Sequence, residues 1–200
     1  MNKERLVAFT DAVLAIIMTI LVLELPKPDE PTLGAIISLK ESILAYTLSF
    51  FWLGALWFGM YQIWSKVEKV TSKVILWNMI LLFFASLIPY TTSLVSEYFN
   101  ESIIQALYGI VVILLTFSNI AINKVIDEPN KDNKELLDDT KHFRKSLTVD
   151  GIIKIIGLFF TLTILPQAMM ISIVIAAFYI MVIDTKISSK KNKLNGKDDK

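Results

Sequence analysis

The residues with the most chemical content stand at the start of the chain. Arg5-Leu-Val-Ala-Phe9-Thr10-Asp11 runs directly into Ala-Val-Leu-Ala-Ile16-Ile-Met-Thr19-Ile20-Leu-Val-Leu23-Glu24-Leu25. One carboxylate, Asp11, therefore sits near the start of a long apolar run. An ionisable group there is costly and points to function. At about 100° per residue, Phe9, Ala12, Ile16, Thr19, Ile20 and Leu23 fall on one stripe about 100° wide. The stripe is apolar except for the Thr19 hydroxyl, and Asp11 points well off it. The stripe fits packing against other helices, and it fits the wall of a pore with Asp11 turned toward a neighbouring helix. Asp11 also fits a helix-start acid interacting with first-turn amides.

Other reactive chemistry is sparse. His142 is the only histidine and cysteine is absent, which removes disulfides, thiolate metal sites and cysteine nucleophiles. His142 falls in a charged segment, where a lone histidine is simply solvated. The chain has no HExxH, GxSxG, P-loop or GxGxxG pattern. It has no Thr-Val-Gly-Tyr-Gly run for a carbonyl-lined filter, and no helix with the repeated arginines of a voltage sensor. An enzyme is not expected, nor a cofactor, a bound metal or a nucleic-acid partner. Asp11 is read as the one acid at membrane depth.

The elements that must position these residues are membrane spans. The 200 residues are 54% apolar, against about 45–50% for a soluble domain, and the mean hydropathy is +0.56. The excess is gathered into blocks: residues 42–65, 74–96, 102–123 and 155–183 contain no charged side chain. About 20 helical residues cross a hydrocarbon core of about 30 Å. Each of the first three blocks is one crossing. The fourth is long enough for two, with Pro166 at the turn between them. With the first helix, about Arg5–Leu25, this gives an all-α integral membrane bundle of six transmembrane helices. The first helix lacks an Ala-x-Ala cleavage pattern and is expected to stay in place.

The remaining helices are expected at about 42–66, 73–97, 102–125, 146–165 and 167–187. Residues 29–41 form a linker with room for a short helical turn. Residues 1–187 are read as one six-helix transmembrane unit, with 126–145 as a cytoplasmic loop and 188–200 as a Lys-rich cytoplasmic tail, disordered or lying on anionic lipid. With six crossings, all but three of the 20 basic residues (Lys27, Lys40 and Lys154) lie on the side of the N-terminus. The positive-inside rule makes that side cytoplasmic, so the protein is a multi-pass cell-membrane protein with both termini inside. The opposite rim carries Glu24, Asp29, Glu30, Glu41, Glu97 and Glu101. They would concentrate cations there, or simply solvate short loops. Asn119 and Asn123 are read as interhelical groups, and Trp52, Trp57 and Trp64 as packing and interface anchors.

The Arg5-x-x-x-Phe9-Thr10-Asp11 motif and the apolar run behind it resemble the first helix of the transmembrane protein 175 family, with Thr10 in place of the usual Ser. Ser49-Phe50-Phe51 and Trp57 resemble its second helix. Leu76-Trp77-Asn78, Ser86-Leu87-Ile88-Pro89-Tyr90-Thr91-Thr92-Ser93-Leu94 and Glu97-Tyr98 resemble its third. Helices four to six match only in number and spacing. Many members carry a His-His pair in the second helix where this chain has Met60-Tyr61, so no role of that pair transfers.

The resemblance implies a potassium-permeable channel with K+ as the permeant ion, assembled as a homotetramer around helix one. It places the constriction at Ile16, Ile20 and Leu23, with Thr19 as a hydroxyl ring. These are residues of the helical stripe. Arg5, Phe9, Thr10 and Asp11 then hold helix one in place rather than touch ions, with Trp77 and Asn78 as candidate partners for Asp11. The alternatives are a secondary transporter and a non-conducting membrane scaffold. Against the transporter stand the lack of an inverted repeat, of broken helices near the midplane and of a mid-membrane acid.

Overall fold

A computed structural model describes residues 2–180, and among them the chain is all α-helical. The helices are α1 (Lys3–Leu23), α2 (Leu33–Ser38), α3 (Lys40–Trp64), α4 (Ser72–Ser86), α5 (Ile88–Glu97), α6 (Ser102–Val125), α7 (Lys134–Thr163) and α8 (Ala168–Ile180). A single 3-10 turn, Glu128–Asn130, joins α6 to α7. Among the described residues, five segments are long and apolar enough to cross a membrane: α1, α3, α4 with α5, α6 and α7. The shorter apolar helix α8 follows them and is consistent with the sixth crossing expected from the sequence. The end of the sixth helix near 187 and the tail 188–200 lie outside the described residues.

Local chemistry explains the boundaries. The Asn2 side chain caps α1 by accepting from the Glu4 amide at 3.0 Å. The third span is not one continuous helix. It breaks at Leu87, because Pro89 has no amide proton to bond the turn behind it. The Leu87 amide tightens onto Phe84 O at 3.2 Å, and α5 restarts from there. The turn expected at Pro166 is present between Thr163 and Ala168.

The segment 126–145 is mostly not a loop. After the 3-10 turn, α7 begins at Lys134, capped by the Asn133 side chain on the Leu136 amide at 3.0 Å. Charges of both signs mask an amphipathic period here, because Leu136, Thr140 and Leu147 share a buried face. His142 is exposed on this helix, and its Nδ1–H donates to Asp138 O at 2.8 Å.

The core lies along α6, which packs on α4, α5 and α7. Within its apolar stretch 61% of α6 is buried, against 28% for α1. Some polar groups inside the bundle find partners across helices, which a low-dielectric interior favours. Ser49 of α3 bonds Thr92 of α5 at 2.8 Å and Tyr108 of α6 at 3.0 Å. α1 is the peripheral span. It rests on α3, α4 and α5 and so presents the candidate site.

Candidate functional site

The first helix divides into three sectors. Leu6, Thr10, Leu14, Ile17 and Leu21 are buried against the bundle. The stripe of Phe9, Ala12, Ile16, Thr19, Ile20 and Leu23 is exposed along its whole length. Ile16 is 58% exposed, Ile20 37% and Leu23 78%. Two wide-open large apolar side chains on one face of a span face lipid or another chain. The third sector carries Asp11 beside α3.

Thr19 does not present a free hydroxyl proton. Its Oγ1 donates to Ile16 O within α1 at 2.8 Å. The hydroxyl lone pairs therefore remain as acceptors on the exposed face. Ile16 and Ile20 also border a groove of about 430 Å³ against Ser86, Pro89 and Tyr90, at the break between α4 and α5.

The motif residues hold α1 to two helices. The Thr10 hydroxyl donates to Leu6 O at 2.8 Å and accepts from Asn78 Nδ2 of α4 at 2.8 Å. Asp11 Oδ1 accepts from the indole Nε1–H of Trp57 in α3 at 2.9 Å. The expected partners of Asp11 are thereby corrected. Asn78 bonds the adjacent Thr10 instead, and Trp77 is half-buried against the core. The cause is the angle between neighbours on a helix: Thr10 faces α4, and Asp11, one residue on, faces α3. Arg5 and Phe9 are exposed. Trp57 stacks on Tyr61 with ring centroids 5.9 Å apart, so it is more than an interface anchor. The available signal for Trp57 was an indole donor in a charge-free span, opposite an unpaired acid.

A second polar centre was missed. Asp150 and Lys154 of α7 form an ion pair at 2.6 Å, and each is 1% exposed. Thr116 Oγ1 of α6 donates to Asp150 Oδ2 at 3.0 Å and accepts from Lys154 Nζ at 3.0 Å. Trp52 of α3 places its ring 5.0 Å from the same ammonium. The pair lies roughly 14–20 Å along α7 from Thr163, within a helix long and apolar enough to cross a membrane. Asp11 is therefore not the one acid at membrane depth. The sequence signal was an opposite-charge pair four residues apart, on one helix face, at the start of an apolar block.

At the end of the bundle that holds the start of α1, polar side chains bind the connections together. Lys66 pairs with Glu135 at 2.7 Å and with Asp139. Burial alone would lower the Lys66 pKa, but hydrogen bonds and charge from Asp139 and Glu135 outweigh it and hold the ammonium above its usual value. Asn130 accepts from the amides of Glu68 and Lys69 and donates to Lys69 O and Ile126 O. Arg144 joins Asn123 O and Asp127 at 2.6 Å each. The Asn123 side chain donates to Asn119 within α6.

Fold and site together define an all-α integral membrane bundle whose first helix is anchored on one side and open along an apolar stripe on the other. The family model described as endosomal/lysosomal potassium channel TMEM175 matches residues 5–89. The chain is 34% identical over 137 residues to a potassium channel of Chryseobacterium sp. (strain P1-3), spanning 68% of this chain and 71% of that one. It is 33% identical over 114 residues to the Gallus gallus endosomal/lysosomal proton channel TMEM175, spanning 51% of this chain and 23% of the longer relative. The crystal structure of a lysosomal potassium-selective channel TMEM175 homolog from Chamaesiphon minutus superposes with a TM-score of 0.78 at 20% identity, covering 90% of this chain and 96% of that one. The chain belongs to the TMEM175 family.

Proposed function

We propose that this protein is a potassium-permeable cation channel of the cell membrane, assembled as a homotetramer around α1 with both termini cytoplasmic. The observation that carries this reading is the division of α1, packed by Leu6, Leu14, Ile17 and Leu21 and open at Ile16, Thr19, Ile20 and Leu23. Four copies of the open stripe would stack three apolar rings over roughly 10 Å. Such rings gate by dewetting, and small rotations of α1 would wet or dry them. Between the Ile16 and Ile20 rings, Thr19 would supply oxygen acceptors to a partly dehydrated cation. Potassium sheds water more readily than sodium, so a modest preference for potassium follows. The groove against Pro89 and Tyr90 gives α1 room to tilt.

The test is potassium flux in liposomes with the purified full chain, together with its oligomer mass. Flux with a mass of four chains is the expected result. Ile16→Asn and Leu23→Asn should each raise basal leak several-fold by hydrating a ring, and unchanged flux in both would remove these residues from the conduction path. A second reading, a secondary transporter, is favoured by one observation, the ion pair Asp150–Lys154 at membrane depth. It predicts saturable, coupled flux lost on Asp150→Asn, whereas the channel predicts unitary current steps in a planar bilayer.

A further inference from the structure

Asp11 is an acid about 12 Å along α1 from Lys3, and Trp57 is its hydrogen-bond partner. Among the described residues no cation pairs with it: the four salt bridges lie elsewhere. One neutral N–H offsets only part of the cost of a carboxylate at this depth. Beside it lies a cavity of about 350 Å³ between the first turns of α1 and the last turns of α3, within the range of about 300–1,000 Å³ usual for small-molecule sites. Its walls include Val7, Leu14 and Met60, the stacked rings of Trp57 and Tyr61, and the opposite charges of Lys3 and Glu4 one residue apart. A carboxylate beside aromatic faces and apolar walls matches one kind of ligand, a positive head on a short apolar body.

We propose that this cavity binds a small organic ammonium group. The head would lie at the Asp11 carboxylate and against the Trp57–Tyr61 rings, with its carbons along Met60 and Leu14. A bare alkali cation fits less well, because the accessible lining is mostly apolar and would replace little of its hydration shell. The ammonium can come from a free amine or from an ethanolamine lipid headgroup. The site is on the flank of α1 away from Ile16, Ile20 and Leu23, and it stands whether or not the chain conducts. An occupant bridging Asp11 to α3 would tighten the seat of α1.

The probe is n-butylammonium chloride, titrated calorimetrically into the full chain in uncharged maltoside micelles. The expected result is saturable binding, weakened at least tenfold by Asp11→Asn and several-fold by Tyr61→Leu. Ala8→Trp, which fills the cavity from an exposed position on its rim, should abolish it; this variant and Tyr61→Leu keep the test decisive if Asp11→Asn does not fold. In a second arm, phosphatidylglycerol nanodiscs are compared with and without phosphatidylethanolamine. Suppression of butylammonium binding by the ethanolamine lipid identifies the headgroup as the source, and no suppression identifies a free amine; both support an ammonium site. Absence of saturable binding overturns the proposal. So does binding that survives Tyr61→Leu and Ala8→Trp, or displacement by KCl at equal concentration.

Discussion

Thr19 shows how one side chain's local bond sets what it offers a ligand. Its proton is committed to Ile16 O, so its outward character is that of an acceptor. Thr19→Ala removes those acceptors without changing the apolar rings on either side. Potassium-over-sodium preference should fall while conduction persists, and an unchanged bi-ionic reversal potential would exclude Thr19 from selectivity. Asp11 acts differently. Its bond to Trp57 ties α1 to α3. Trp57→Phe keeps the ring and loses the donor, so it should reproduce most of the loss of thermal stability or assembly caused by Asp11→Ala, with ion preference intact. A normal oligomer with altered selectivity would contradict that assignment. The acid was visible in the sequence because it interrupts an apolar run. Its partner was not, because Trp57 lies 46 residues away and two other donors stood in an equally suitable helix.

At the scale of elements, α1 is held by few groups and α7 by many. α7 meets α6 through the Asp150–Lys154–Thr116 cluster and reaches α3 through Trp52. A buried pair of this kind costs much to break and little to replace whole. Asp150→Leu or Lys154→Met alone should each destabilise the protein by roughly 3–5 kcal/mol, because each leaves an uncompensated buried charge. The double variant should recover much of that loss. Additive losses in a thermal or denaturant cycle would show that the two residues act separately. Helix boundaries were legible where charges stop, because the hydrocarbon core admits few of them. They were illegible over 126–145, where an amphipathic helix carries its charges on the exposed face and resembles a loop in composition.

At the scale of the molecule, one end of the bundle is clasped by polar groups from chain segments far apart. Lys66 after α3 reaches Glu135 and Asp139 of α7, and Asn130 binds the backbone before α4. The pKa of Lys66 is raised above the usual 10.5. A raised lysine contributes its full stabilisation below the unfolded value and loses it as pH climbs toward the folded one. The clasp should therefore be constant through neutral pH and weaken only above about 10.5. The difference in melting temperature between wild type and Lys66→Met should be flat from about pH 6 to 9 and shrink above pH 10.5. A difference that varies near neutrality would show that another group controls this end.

The sequence by itself determined what depends on one helix at a time. Span number follows from bilayer thickness and charge-free length, and the α1 stripe follows from the helical period. Both are local, so no partner need be known. The tertiary structure alone decided which polar group meets which: Asp11 with Trp57, Thr10 with Asn78, and Asp150–Lys154 with Thr116 and Trp52. These pairings depend on how the helices rotate and cross, which is set by packing along the whole bundle. Only that packing shows that the stripe lies on the face of α1 its own subunit leaves open, a face whose edge also carries Asp11 on Trp57.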